Sequence, residues 1–340
     1  MTTQSLPRHT HHAASAHQPP ATLRATGIVA ALVTVIALVA IAFALPAARS
    51  KPHDVPIGAA GPQAASGQIA DTLEQRAPGA FEVTYYPGEA ALRQAIRNRD
   101  VYGGISFGPG GPTLLTATGA SPTVAQLLTQ AGTGIAQHAG VAVRTDDLAP
   151  PTADDPRGAG LAASALPITL AGLLPAIVLV LVLRREVWTR LAASVVFAGV
   201  AGWTIAALLR FVLGSIDANF WGVAGGLTLG ILAAGLTMLG LGSLFGRIGL
   251  GIGAALALLV GNPLSGLTSA PELLPSGWGT LGQWLPQGAN ATLLRSTAFF
   301  DGAGAATAIV VLSAWALVGV GLTVTAAVQS SRVRRSAAGT

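Results

Sequence analysis

Six long apolar runs limit the folds open to this chain, because each is free of charge through its middle. About 20 apolar residues cross a bilayer core as a helix, and one of the six runs is shorter than that. Only 10% of the 340 residues are charged, against roughly 25% in soluble domains. The sequence therefore predicts a membrane α-helical bundle with six transmembrane helices. The apolar runs are residues 27–45, 161–183, 191–213, 220–245, 248–260 and 305–328.

The arginines that flank these runs predict the orientation. With six spans both termini lie on one side, and most flanking arginines fall on that side, which the positive-inside rule makes cytoplasmic. The protein is thus expected in the cell membrane, in contact with membrane lipid. The first run is longer than a secretory signal, so we expect it to remain uncleaved; the small residues 44–48 leave cleavage as the alternative. The cytoplasmic arginines are Arg8, Arg24, Arg184, Arg185, Arg190, Arg247, Arg332, Arg334 and Arg335.

Residues 47–160 differ from the rest, since they hold more than half of the charged residues. Short β-branched and aromatic runs alternate with helical patterns. They predict an extracytoplasmic α/β domain between helices 1 and 2, with residues 146–157 as a solvated linker. The expected strands are 55–59, 81–86, 101–107, 113–118 and 141–144, and the expected helices are 68–76, 89–97 and 122–137, the last capped by Ser121.

The other predicted parts follow from these. Residues 1–26 form a disordered cytoplasmic tail, 27–46 the first helix, 161–328 the five further helices, and 329–340 a second tail. On the helix 89–97, Ala91, Leu92 and Ile96 face inward. A solvated face that could meet a partner is expected at Arg93, Arg97, Arg99 and Asp100.

Residues 261–302 form a segment that is too apolar for a solvated loop. It is also too broken by proline for one spanning helix, with prolines at 263, 271, 275 and 286. We predict short helices and turns at the outer membrane face, and call this stretch the broken segment. If it gates a transport path, the candidate gate residues are Asn262, Pro263, Pro286 and Arg295.

Glycines at four-residue spacing predict close helix packing. They serve either a dimer or moving interface, or ordinary packing within one bundle. The candidate packing residues are Gly222, Gly226, Gly230, Gly249 and Gly253.

Few residues suggest chemistry. The only lysine, Lys51, lies between Ser50 and Pro52, so a phosphate-binding P-loop is excluded. No cysteine is present. The net charge is +5, but outside residues 47–160 most arginines flank the apolar runs, as topology signals do. We therefore exclude nucleic acid as a partner. We predict no catalytic residue, cofactor or metal.

Three further motifs could carry chemistry, but each also has a simpler interpretation. Ser106 fits Gly-x-Ser-x-Gly but lies in a predicted strand, whereas a nucleophile needs a sharp strand-to-helix turn. The residues Asn290-Ala-Thr292 fit a glycosylation sequon. Acidic residues that lack the ligand spacing of a calcium loop are Asp146, Asp147, Asp154 and Asp155.

The arrangement of one span, an external domain and five spans with a broken segment resembles the type-2 ABC transporter permease superfamily. It is most similar to the branch of phage-infection-protein-like membrane proteins. The resemblance implies a homodimeric permease subunit of an exporter, with ATP hydrolysed by a separate ATPase and a lipophilic or cell-envelope substrate. The stretches that carry it are 86–96, 101–106, 261–266, 271–275 and 285–289, with Arg295 and 299–302.

Two other classes of function stay open. A non-transporting membrane protein could use the α/β domain to dock envelope, secretion or phage factors, and a membrane-anchored hydrolase would use Ser106. Ionisable residues are absent from the middle of every span, which argues against a proton-coupled transporter.

Overall fold

The computed structural model describes residues 20–139, 142–184 and 186–338. The predicted tail up to residue 19, with Arg8, lies outside this description, as do Val141 and Arg185. Contacts divide the chain into a unit up to Ile41 and a unit from Ala42 onward. Helix α1 (Ala21–Ala48) fills the described part of the first unit and ends in the second. Its most apolar stretch has a mean hydropathy of 3.0.

The second unit contains a five-stranded mixed sheet in the order β2-β1-β3-β4-β5. Strand β1 pairs in parallel with β2 and β3, β3 and β4 form an antiparallel hairpin, and β5 is parallel to β4. The strands are β1 (Val55–Ala60), β2 (Phe81–Tyr86), β3 (Gly103–Gly108), β4 (Gly111–Thr116) and β5 (Arg144–Asp147). The domain's helices are α2 (Gln63–Arg76), α3 (Glu89–Asn98) and α4 (Pro122–Ala139).

Helices cover both faces of this sheet, as the alternation of side chains along β4 illustrates. Leu114 packs with the core under α2 and α4, whereas Leu115 packs with the core under α3. Successive residues of a strand point to opposite faces, so two apolar layers form. On α3, Leu92 and Ile96 are fully buried, as predicted, and Ala95 is buried as well; Ala91, also predicted to face inward, is only partly buried.

The last strand lies later than predicted, at Arg144–Asp147, so the expected solvated linker is wrong at its start. Asp147 Oδ1 accepts hydrogen bonds from the backbone N–H of Thr118 and Ala149, at 3.1 and 3.2 Å. Asp146 forms an ion pair of 2.7 Å with Arg93. These contacts from other elements hold acidic residues in a strand, although Asp has low strand propensity.

Asp155 is also bound rather than solvated. Its carboxylate accepts hydrogen bonds from the N–H groups of Ala159 and Gly160, and from Ser215 Oγ at 2.7 Å. Burial raises its pKa, but these hydrogen bonds outweigh that effect and leave the pKa below the usual value. The carboxylate thereby caps α5 (Ala159–Ala163), the turn that opens the next long helix.

Five helices of the described chain are long and apolar enough to cross a membrane. After α1 they are α5 with α6 (Ala165–Val182), α7 (Val187–Ala207) with the π-turn Leu208–Val212, α8 (Phe220–Leu256) with the π-turn Ala257–Gly261, and α11 (Ala306–Ala338). Helix α11 extends past the predicted end at 328, so most of the predicted second tail is helical.

Helix α8 reverses direction at Gly246, where φ is +60° and ψ is −138°. Leu250 packs on Gly242 and Met238 packs on Gly253. In a straight helix of 1.5 Å rise per residue these partners would be more than 10 Å apart, so the two arms are antiparallel. We call them the hairpin. Its turn falls where the sequence predicts a break between residues 245 and 248.

The hairpin is the centre of the bundle. Gly172 of α6 lies against Ala234, Gly202 of α7 against Thr228, and Gly319 of α11 against the backbone at Leu236. Small residues let helix backbones approach closely, and three neighbours of α8 each contribute a glycine to their contact with it.

The broken segment folds as predicted into short helices and turns. They are a 3-10 turn at Pro271–Leu273, α9 (Trp278–Gln283) and α10 (Pro286–Phe299). Pro271 and Pro286 each stand at the start of a helix, where the missing N–H costs nothing. Helix α10 packs against α8 and α11.

Candidate functional site

A cavity of about 550 Å³ lies where the α/β domain meets the broken segment and α11. We call it the outer cavity. Its size is in the range of small-molecule sites. The lining residues that matter below are Arg99, Tyr102, Glu272, Trp284, Arg295 and Val311.

Arg99 enters the outer cavity because of how α3 ends. The residue takes a left-handed conformation with φ of +66°, and this terminates the helix. Its Nη1 donates to the carbonyl of Thr292 at 3.1 Å and to Ser296 Oγ at 2.5 Å. The guanidinium carbon lies 5.3 Å from the centre of the Phe300 ring. Burial lowers the pKa of Arg99, so the prediction of a solvated face is wrong for this residue.

Arg295 approaches the same cavity from α10. It is 6% exposed, and its Nη1 and Nη2 donate to the carbonyls of Gly266 and Leu267 at 2.7 and 2.6 Å. Both acceptors belong to the turn that follows the hairpin. Burial lowers the pKa of this guanidinium. A buried cation held by neutral carbonyls alone is costly.

Tyr102 and Glu272 join the two halves of the cavity wall. The Tyr102 hydroxyl donates to Glu272 Oε2 at 2.8 Å. Burial and the negative charge of Glu272 raise the pKa of Tyr102. The backbone supports this contact, because the N–H of His53 donates to the carbonyl of Glu272 and that of Lys51 to the carbonyl of Leu273.

The two guanidinium groups of the outer cavity have no ion-pair partner within the described ranges. Neither Arg99 nor Arg295 has a carboxylate within 4.0 Å, whereas Arg93, on the outside of α3, pairs with Glu89 and Asp146. The electrostatic interactions of Arg99 and Arg295 are with Tyr102, Glu272 and each other. The cluster therefore combines two cations with one carboxylate.

An apolar cavity of about 140 Å³ lies beside the outer cavity, between the hairpin and α10. Leu285 and Trp315 line it, and Trp284 lines the outer cavity. The indole Nε1–H of Trp315 donates to the carbonyl of Trp284 at 2.8 Å. The neighbouring residues Trp284 and Leu285 thus line a cavity of mixed polarity and an apolar one, respectively.

A third and much smaller cavity, about 20 Å³, surrounds Asn290. This residue is 6% exposed, and its Oδ1 has no hydrogen-bond partner among the described residues. Asn262 lies nearby and accepts from Thr169 Oγ1 at 3.3 Å. The space suits one water molecule. Burial of Asn290 also leaves the sequon inaccessible in this fold.

The four candidate gate residues do not form one cluster. Asn262 and Pro286 border the small cavity around Asn290. Pro263 borders a cleft beside Phe43 and Leu166, which Asn262 also lines, and Arg295 lines the outer cavity.

The candidate packing glycines make contacts within this chain. Leu293 of α10 packs on Gly226, and the amide of Asn290 packs on Gly230. Gly249 and Gly253 receive the other arm of the hairpin. Gly222 lies against Asn219, the residue that caps the start of α8.

The other motifs lie away from the outer cavity. Ser106 is 2% exposed inside β3, paired with Ala60 and Thr113 rather than on a strand-to-helix turn. No group of three His, Asp or Glu residues that could hold a metal is found in the described part of the chain. Comparison with protein-family models, curated proteins and solved structures finds no match to this chain.

The sequence did not single out Tyr102, Glu272 or Trp284 as a site. Tyr102 lies in the α/β domain, whereas Glu272 and Trp284 lie twelve residues apart in the broken segment, and no spacing rule links them. The one available signal was the mixture of charged and aromatic residues in an otherwise apolar broken segment.

Proposed function

We propose that this chain is the membrane-spanning permease subunit of an ABC-type exporter that moves a lipophilic or cell-envelope substrate. A separate ATPase supplies the energy. The observation that carries the proposal is the outer cavity, bounded by the broken segment, the α/β domain and the start of an apolar helix. A cavity that has both charged and apolar lining residues, close to an apolar one, suits an amphipathic cargo that leaves the bilayer.

The proposal includes a topology of six spans. Five candidate spans are counted when α8 is taken as one helix, and the reversal at Gly246 adds a sixth. Both termini and the hairpin turn then lie in the cytoplasm, where the positive-inside rule expects Arg247. The α/β domain and the broken segment lie outside the cell membrane.

In this proposal, the hairpin and its neighbours form the wall of the transport path, and the broken segment closes its outer end. The α/β domain receives the cargo as it leaves. Two copies of the chain form a homodimer, and the ATPase binds the cytoplasmic ends of the helices.

The test is purification of the tagged protein in mild detergent, followed by mass spectrometry and an ATPase assay. A stoichiometric ATPase whose hydrolysis rate changes when this chain is added would support the proposal. Recovery of secretion, envelope or phage factors without an ATPase would overturn it. That result would favour a non-transporting protein whose α/β domain is a docking module.

A further inference from the structure

We propose that the outer cavity binds the anionic headgroup, a phosphate or a carboxylate, of an amphipathic molecule whose apolar tail passes Trp284 toward the neighbouring apolar cavity. The role of this site rests on the proposed function, because it names the class of substrate that the exporter would carry. The binding itself is measured without transport.

The charge of the cavity favours an anion. Arg99 and Arg295 both line it, and Glu272 is the carboxylate that interacts with them. Asp54 also borders the cavity but is exposed. Its charge is not among the interactions of either guanidinium. Buried charges in proteins are normally paired, so this cluster has an excess of one positive charge that an anion would balance.

The cavity also supplies hydrogen-bond donors for an anion. A guanidinium has five N–H donors in a planar fork that fits phosphate and carboxylate. Arg99 uses Nη1 for its bonds to Thr292 and Ser296, and Arg295 uses Nη1 and Nη2 for its two carbonyls. Donor groups therefore remain on both side chains. Their existing bonds, with the Phe300 ring beneath Arg99, fix the guanidinium groups in advance.

Part of the cavity wall is apolar and suits a hydrocarbon tail. Trp284 is 62% exposed, and Val311 of α11 lines the same cavity. Tryptophan is enriched where a membrane protein meets the interface between lipid and water. The apolar cavity begins at the next residue, Leu285. A ligand with a charged head and an apolar tail matches both surfaces, whereas a free anion would leave the apolar wall uncovered.

The experiment uses the full-length protein in lipid nanodiscs and the fluorescence of Trp284. Lipids with brominated acyl chains quench nearby tryptophan. Phosphatidylglycerol, whose headgroup is anionic, is compared with phosphatidylcholine of the same chains, whose headgroup is zwitterionic. The signal of a Trp284→Phe variant is subtracted to isolate Trp284. We expect half-maximal quenching at about tenfold less phosphatidylglycerol, the size expected of one charge-assisted hydrogen bond.

Variants of α3 supply the matched control. Arg99→Gln should reduce the preference for the anionic lipid to twofold or less, and Arg99→Lys should keep most of it. Arg97→Gln makes the same change in charge two residues earlier, in the last turn of α3 and at an exposed position, and should leave the preference intact. Because the comparison of the two lipids in the wild-type protein does not use Arg99→Gln, poor folding of that variant would not remove the test.

The outcomes separate the sources of the anion and the two proposals. If inorganic phosphate abolishes the preference at concentrations no higher than those of the anionic lipid, the acyl chain adds nothing to binding, and the amphipathic tail is overturned. Equal quenching by both lipids in the wild-type protein, or an equal loss in Arg97→Gln and Arg99→Gln, would overturn the headgroup site. Preferential quenching without a copurifying ATPase would keep the site and reject the exporter. A copurifying ATPase without preferential quenching would support the exporter and reject the headgroup site.

Discussion

At the scale of single residues, the outer cavity is held together by few bonds between parts of the chain that are distant in sequence. Tyr102 donates to Glu272 at 2.8 Å, and Arg99 reaches Thr292 and Ser296. Each bond has one partner in the α/β domain and one in the broken segment. Their loss should loosen the contact between these two parts without unfolding the sheet.

The hydrogen bond of Tyr102 gives the first prediction. Tyr102→Phe should lower the free energy of unfolding by about 1–2 kcal/mol, since a bond to a charged group is lost and a partly buried carboxylate loses a donor. Thermal unfolding in detergent measures the change. Tyr85→Phe is the matched control, because Tyr85 is 54% exposed, and should change stability by less than about 0.5 kcal/mol. Equal effects of the two variants would contradict the prediction.

The raised pKa of Tyr102 gives a prediction for alkaline pH. Burial and Glu272 keep this hydroxyl protonated in the folded state. Its stabilising effect is therefore fully present below the usual tyrosine pKa of about 10. It is lost as the pH rises above that value, because the unfolded chain then ionises more readily. Unfolding temperatures measured from pH 8 to 11 should fall less steeply in Tyr102→Phe than in the wild type; parallel curves would argue against it.

At the scale of elements, the hairpin depends on one backbone conformation. Gly246 has φ of +60° and ψ of −138°, a combination that side chains with a Cβ rarely adopt. The arms then pack closely, since Gly242 and Gly249 each accept a side chain or backbone group of the other arm. The turn at Gly246 and the small residues beside it are therefore both needed for the two arms to pack closely.

Gly246→Ala should therefore destabilise the folded protein by about 1–3 kcal/mol, the cost of a strained backbone position. Gly251→Ala is the control on the second arm, because it is helical and its added methyl group would meet open space. Alanine at such a position should be neutral or stabilising. The yield of monodisperse protein after detergent extraction and the unfolding temperature report both effects. A Gly251→Ala variant as damaged as Gly246→Ala would refute the role given to the turn.

The elements also differ in how far the sequence predicted them. The length of the apolar runs predicted the long helices, and short β-branched and aromatic runs predicted β1 to β4. Both signals are local in the sequence. Strand β5 was misplaced, since contacts from Arg93 and Thr118 hold its acidic residues in place. The outer cavity was not predicted as a unit, because Arg99 and Arg295 come together only through tertiary packing. Of the four candidate gate residues, only Arg295 reaches it.

At the scale of the whole molecule, the proposed six spans make a prediction that the absence of cysteine renders simple to test. Single cysteines are introduced at Arg97 in the α/β domain, Arg247 at the hairpin turn and Ser331 near the end of α11. With six spans, a membrane-impermeant thiol reagent should label only Arg97→Cys in intact cells, and all three after permeabilisation. Labelling of Ser331→Cys in intact cells would indicate an odd number of spans.

Because the chain reverses at Gly246, both arms of the hairpin reach the same end of the bundle. The far ends of both arms touch α10: Asn219 Nδ2 donates to the Thr297 carbonyl at 3.0 Å, and Gln287 packs on Gly261. Helix α10 is therefore anchored at two points, one at the end of each arm, and Arg295 lies between them on the same helix.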